Sequence, residues 1–282
     1  MEGSIILGNK NNYWRWTEED GFDLTHTDPS TSIPQLKFQV DGGAVTIAPT
    51  KTALVIIDMQ NYSLALKKHH AGHAVEKALV DHAIPTARRA GIQVIWLNWG
   101  LSDTDLKRMP PALQRIFSFG EDGTRKKDGG IGHDMGDVPT EDGSGTVPGG
   151  RFLIQGEWNT RLHSPLEALR QHQDVLLYKD RISGMCGGRE VLREYLKGKG
   201  ITTLLHAGIN TGFCVVGTMA DASKLDFDTI LLEDCTGTPH GEVALQASLD
   251  TCKKGWGFLS SSVNLCEGLK QMEGSANFAR GE

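Results

Sequence analysis

The chain has no excess of basic residues, no CxxC pair and no long apolar run, and each absence excludes a class of protein. Its 29 Lys and Arg stand against 35 Asp and Glu, a formal charge of −6, whereas holding nucleic-acid phosphates requires clustered cations. The short basic groups Lys67-Lys68 and Arg125-Lys126-Lys127 read as solvated surface. The five cysteines, Cys186, Cys214, Cys235, Cys252 and Cys266, are odd in number and lack metal or redox spacing, so a reduced, cytoplasmic chain is expected. No apolar stretch approaches the ~20 residues of a membrane span. The N-terminus lacks the basic and apolar regions of a secretory signal. No strand feeds a GxGxxG or GKS/T turn, which argues against a nucleotide-binding Rossmann protein. Gly143-Ser144-Gly145 has no preceding strand to make it a serine-hydrolase elbow.

What is present is an alternation of apolar runs and helical patterns from Thr52 onward, in a chain that is 39% hydrophobic and long enough for one large core. The fold class expected is α/β: a three-layer, Rossmann-like domain, its mostly parallel sheet of about six strands covered by helices on both faces. Strands are expected at 53–57, 92–97, 175–178, 201–205, 229–232 and 256–259. Helices are expected at 73–90, 106–117, 191–196, 214–225 and 242–252. Residues 1–50 break the pattern and read as an arm carrying a possible hairpin, Leu36 to Val40 and Ala44 to Ile47, after a Thr/Asp/Pro/Ser-rich stretch at 25–34. The main domain is placed at 51–270 and a C-terminal tail at 271–282. Within the domain, 119–150 is rich in Gly, Asp and Pro; it reads as a surface insertion, with a lid over the site as the other reading.

Three of the apolar runs end in chemistry. Ala53 to Ile57 terminates in Asp58, Val175 to Tyr178 in Lys179, and Leu204-Leu205-His206-Ala207-Gly208-Ile209 in a turn that carries Cys214 at the start of a helix. In an open parallel sheet the ligand crevice lies beyond the carboxyl ends of the strands, so carboxylate, ammonium and thiol should converge there. A helix N-terminus favours a thiolate, the nucleophilic form. Taken singly, Asp58 reads equally as a helix cap, Lys179 as a solvated strand end and Cys214 as a small core residue.

Four segments in order, ALVIIDMQN at 53–61, KDRISG at 179–184, GINTGFCV at 208–215 and LLEDCT at 231–236, resemble the isochorismatase-like cysteine hydrolase superfamily. The resemblance spans about 50–265 and leans toward the metal-free ureidoacrylate and N-carbamoyl amidohydrolase type. It implies that Asp58, Lys179 and Cys214 form a catalytic triad cleaving a C–N bond of a small amide or ureide through a thioester. It also implies an oxyanion hole from the amides of Asn210 and Cys214, a cis Ile209–Asn210 peptide, no cofactor and a homo-oligomer. True isochorismatases carry glycine at the cysteine position as a rule, so Cys214 favours amide or ureide hydrolysis. An isochorismate hydrolase and a non-catalytic small-molecule-binding relative remain as alternatives.

Nicotinamidases in the superfamily hold a metal through an aspartate and histidines shortly after the first strand. Met59 to Leu64 offers neither residue type, and His69, His70 and His73 lack a carboxylate at suitable spacing, so no metal is expected. Candidate substrate contacts are Asn61, Tyr62, Asn98, Trp99, Trp158 and Phe213. Asn98, at a strand end, reads either as a substrate hydrogen-bonder or as a cap. Ile182, Gly212 and Val216 depart from the ureidoacrylate enzyme's pattern, so its substrate does not transfer automatically. The expected partners are a small-molecule substrate and further copies of the chain, with no nucleic acid and no membrane.

Overall fold

The structure, a computed structural model, describes residues 3–10, 12–27, 33–120, 122–127 and 129–280. Strands β1 (Ile5–Gly8), β2 (Tyr13–Thr17), β3 (Gly21–Asp23), β4 (Leu36–Val40) and β5 (Gly43–Ile47) form one sheet in the order β1-β2-β3-β5-β4. The β4–β5 hairpin turns at Asp41-Gly42, as the sequence suggests; the three strands before it were not foreseen, and part of the 25–34 stretch, 28–32, lies outside the described residues. This sheet is stapled to the main domain. Asp228 accepts from Trp14 Nε1 at 2.6 Å and lies 2.6 Å from His26 Nε2, while Ser260 and Asn264 side chains donate to the Gln39 carbonyl.

The main domain continues with β6 (Thr52–Ile57), α1 (Gly72–Ala78), α2 (Ile84–Ala90), β7 (Gln93–Trp99), α3 (Asp103–Lys107), α4 (Pro111–Ser118), the short pair β8 (Asp137–Pro139) and β9 (Thr146–Pro148), α5 (Ser164–Leu169), β10 (Val175–Lys179), α6 (Val191–Lys199), β11 (Thr203–Ile209), α7 (Val216–Lys224), β12 (Asp228–Gly237), α8 (Glu242–Thr251), β13 (Phe258–Ser260) and α9 (Ser262–Arg280). Six of these strands make an all-parallel sheet in the order β10-β7-β6-β11-β12-β13. Every residue of β6 and β11 is buried, as a strand covered on both faces must be. Alternate side chains feed two cores: Leu54 and Ile56 pack with Leu79 and Leu205 on one face, and Val55 and Ile57 with Leu97 and Met219 on the other. Among the described residues no helix is long and apolar enough to cross a membrane.

Three expected elements differ in physically traceable ways. The 73–90 helix is interrupted by a π-turn at Leu79–Ala83, next to Pro85, which has no N–H and whose ring crowds the carbonyl four residues earlier. The 106–117 helix is two helices, because Pro110 and Pro111 cannot continue the first. Residues 271–280 are no separate tail but the continuation of α9, which begins under β4.

Candidate active site

The strand order places β6 and β11 side by side, and from this pair the chain winds outward in opposite directions, through β7 and β10 on one side and β12 and β13 on the other. The crevice at such a switch point opens at the carboxyl ends. Asp58 follows β6 directly, with a left-handed φ of 55°. That conformation, unfavourable for a residue with a Cβ, turns the carboxylate back toward the sheet, where Oδ1 accepts the Trp99 amide at 3.0 Å. Lys179 is the last residue of β10, paired in register with Trp99. Its ammonium lies 3.0 Å from Asp58 Oδ2, 3.4 Å from Cys214 Sγ and 3.7 Å from the centre of the Trp99 ring. The fold therefore brings together the three residues predicted from strand ends.

Cys214 sits in a π-helical turn, Thr211–Val215, that leads into α7, and the Ile209–Asn210 peptide before it is cis. The approach to this turn depends on Gly208, whose φ is +106° and whose position leaves no room for a side chain: a Cβ there would lie 2.1 Å from the Ile57 carbonyl oxygen. Thr236 Oγ1 holds the Gly208 carbonyl from β12 at 3.0 Å.

The electrostatics correct one expectation. The helix N-terminus does not leave Cys214 as a ready thiolate: burial, reinforced by the Asp58 charge and opposed by Lys179, pushes the thiol up to about 12. Burial also raises the Asp58 carboxyl, against the pull of Lys179 and of its hydrogen bonds. Desolvation outweighs the dipole because all three groups are enclosed, with Lys179 1%, Asp58 4% and Cys214 8% exposed. One ammonium thus serves two acids, and the site favours a single negative charge between them.

The cleft above the triad encloses about 510 Å³. Of the six expected substrate contacts, Tyr62, Trp99 and Phe213 line it. Asn98, Asn61 and Trp158 do not. Side chains alternate along β7, so with Trp99 at the cleft Asn98 points to the opposite face, where its amide donates to the Thr160 carbonyl at 3.1 Å. Asn61 turns away as well and donates to the Trp158 carbonyl at 3.0 Å, and the two residues line a separate cavity. Gln60 takes the place at the cleft, its Oε1 accepting the Trp99 amide at 2.8 Å.

Three cations on the cleft wall were not anticipated. Lys67 and Lys126, read as solvated surface, and Arg115 all line the cleft, as do Phe117, Phe119 and Gly120. The start of the 119–150 segment is thus a wall of the site, while its later part forms the β8–β9 pair. Lys67 has its ammonium 4.5 Å from the Tyr62 ring centre, and desolvation followed by the Lys126 charge holds it below the ordinary lysine range. Among the described residues no carboxylate pairs with Lys67, Arg115 or Lys126, and Asp58 is the one carboxylate on the lining. The amphipathic pattern of 111–118 was the available signal for Arg115; for the lysines there was none, since a cation beside a cleft and one in solvent look alike in sequence. The structure also gives His73 the carboxylate that its sequence reading denied it. Glu76, one helical turn on, and His163 from the chain entering α5 gather beside it.

The chain matches the isochorismatase domain model over residues 52–262. It is 28% identical over 233 residues to the ureidoacrylate amidohydrolase RutB of Enterobacter sp. (strain 638), a match covering 80% of this chain and 92% of that protein. A cysteine hydrolase from Pseudomonas syringae pv. phaseolicola 1448A superposes with a TM-score of 0.58 at 16% identity, covering 86% of this chain and 100% of its own. The N-carbamoylsarcosine amidase of Thermoplasma acidophilum gives 0.53 at 20% identity, covering 75% and 96%. These two structures are similar in fold. The domain match takes in every strand of the parallel sheet and all three converging side chains, and the chain belongs to the isochorismatase domain family.

Proposed function

We propose that the protein is a cysteine hydrolase that cleaves a C–N bond in a small amide or ureide bearing an acidic group. The observation that carries this reading is the enclosed carboxylate, ammonium and thiol at the base of the cleft, with Lys179 3.0 Å from Asp58 and 3.4 Å from Cys214. The thiol transfers its proton to Asp58 as Sγ bonds to the substrate carbonyl carbon. Because that proton moves within a pair sharing one negative charge beside Lys179, the step leaves the net charge of the buried site unchanged. Burial raises the Asp58 carboxyl, which makes it a stronger base than an exposed aspartate. The amides of Asn210 and Cys214 hold the oxyanion. As the C–N bond breaks, Asp58 returns the proton to the departing nitrogen and a thioester remains. Water, losing its proton to Asp58, then attacks the thioester; the acyl group leaves as an acid and Sγ takes back its proton.

The acidic group follows from the walls. Lys67, Arg115 and Lys126 face the cleft, whose base already carries balanced charges, so an anionic substituent is drawn to the mouth. Tyr62, Phe117 and Phe213 supply flat apolar surface for the rest of the molecule. The ureidoacrylate substrate in the relative's name has this chemistry.

The test follows ammonia or amine release over pairs of small amides and ureides, each as the free acid and as its methyl ester. The free acids should turn over with a KM at least about tenfold lower than the esters, the scale of one charge-assisted contact. Cys214→Ala should abolish turnover and retain the wild-type circular dichroism. Equal use of acids and esters would refute the anion site; turnover by Cys214→Ala would refute the thioester.

A further inference from the structure

We infer a divalent-metal site, suited to zinc, formed by His73, Glu76 and His163 where α1 meets the chain entering α5, outside the cleft that holds Cys214. One donor atom from each residue lies within 4.8 Å of the other two, and none of the three lines the cleft. Two imidazoles and a carboxylate form a zinc donor set. Donors about 2.0 to 2.1 Å from a tetrahedral ion stand roughly 3.4 Å apart, so seating the ion takes side-chain shifts of about an ångström, with Glu76 moving away from His163 Nδ1.

The surroundings are arranged as ligand histidines require. A metal-bound imidazole donates its other N–H to a carboxylate or carbonyl, which selects the tautomer and orients the ring. His163 Nε2 lies 3.0 Å from Glu141 Oε2, and His73 Nε2 lies 3.2 Å from the Lys67 carbonyl oxygen. With both Nε2 atoms donating, Nδ1 is the atom of each neutral ring that offers a lone pair to an ion. His163 Nδ1 is the atom that faces Glu76, at 2.5 Å from Oε2. The His163 ring is 1% exposed and its backbone is pinned, the amide donating to the Met59 carbonyl at 3.0 Å.

Charge gives an independent reason. Glu76 and Glu141 bracket a single buried imidazole on opposite edges. A divalent cation with both rings neutral balances these two carboxylates, and the proton between Nδ1 and Glu76 departs as the ion binds. The ligands come from α1 and the entry to α5, while Glu141 belongs to the turn of the β8–β9 pair, so the ion ties the 119–150 segment to the main domain. The site departs from the sequence expectation of no metal, which weighed His69, His70 and His73 without His163.

The experiment treats the full-length protein with a chelator, removes the chelator and titrates with Co²⁺ and Zn²⁺. We expect one equivalent of Co²⁺ with ligand-field bands and no thiolate-to-cobalt charge transfer, and a raised Tm at saturating Zn²⁺. Glu76→Gln and His73→Asn, both at positions that are not fully buried, should each weaken binding at least tenfold, whereas Cys214→Ser should leave it unchanged. No binding by the wild type at millimolar metal would overturn the site. So would loss of binding in Cys214→Ser, or undiminished binding in both ligand variants. The cobalt spectrum of the wild type decides the case even where a variant does not fold.

Discussion

Replacing Asp58 with Asn separates two consequences that a simpler view of the triad would join. In the wild type the Lys179 charge is shared between a carboxylate 3.0 Å away and a thiol 3.4 Å away, and the thiol is pushed up to about 12. The Asn variant removes the Asp58 charge, one of the causes raising the thiol, and leaves Lys179 to the thiolate alone. At an effective dielectric constant of about 20, a unit charge about 4 Å away is worth roughly 4 kcal/mol, about 3 pKa units, as a ceiling. A drop of about 1 to 3 units is the usual scale for such a pair. Since the labelled species is the thiolate, iodoacetamide labelling of Cys214 at pH 8 should rise by about 10- to 1000-fold. Hydrolysis should fall by about 100- to 10,000-fold, because Asn can neither take the thiol proton nor return one to the leaving nitrogen. The assay is a labelling time course resolved by mass spectrometry, run beside turnover of the same preparation. Labelling unchanged or slowed in Asp58→Asn, or turnover within tenfold of wild type, would refute this account of the pair.

The converse substitution has the opposite sign: Lys179→Met removes the shared cation, so Cys214 labelling should require higher pH than in the wild type, with turnover lost, and a profile superimposable on the wild type would show that the ammonium is not coupled to the thiol. Gly208→Ala should cost at least about 2 kcal/mol in urea denaturation, since its Cβ would meet the Ile57 carbonyl oxygen at 2.1 Å in a left-handed backbone; a loss below about 0.5 kcal/mol would mean that the two strands separate easily. Burial pushes Cys252 up to about 11 as it pushes Cys214 to about 12, so both stay protonated when folded while unfolded thiols ionise near 9. A raised folded value contributes stability that is complete below the unfolded pKa and lost as pH climbs through the folded one. Urea midpoints should therefore fall between pH 9 and 11, by about 1 to 2 kcal/mol per thiol at pH 10, and Cys252→Ala should flatten that slope.

The strand ends were readable because burial on both faces leaves a distinctive pattern, an unbroken apolar run, and the first polar residue after it marks the edge of the sheet. Asp58 after Ala53 to Ile57 was found that way; Lys179 follows a run of the same apolar kind, Val175 to Tyr178, although β10 is a half-buried edge strand, and the parallel alternation of elements required that they meet Cys214. The same rule failed one residue inside the strand. Asn98 and Trp99 are adjacent in sequence, and which of them faces the cleft depends on the pleat of β7 against β6 and β10. Nor could the sequence weigh the helix dipole against desolvation at Cys214, since enclosure by Asp58, Lys179 and Trp99 arises from segments far apart in the chain.

The amino-acid sequence by itself determined the α/β alternation, the parallel sheet and the identity of the converging side chains, because local hydrophobic periodicity and the right-handed crossover leave few other arrangements. Tertiary structure alone decided which cations wall the cleft, as Lys67, Arg115 and Lys126 arrive there from three separate segments. It alone also set His163 beside Glu76, 87 residues away in the chain. Such contacts depend on how packed layers bring distant surfaces together, and that geometry leaves no periodic signal in either segment.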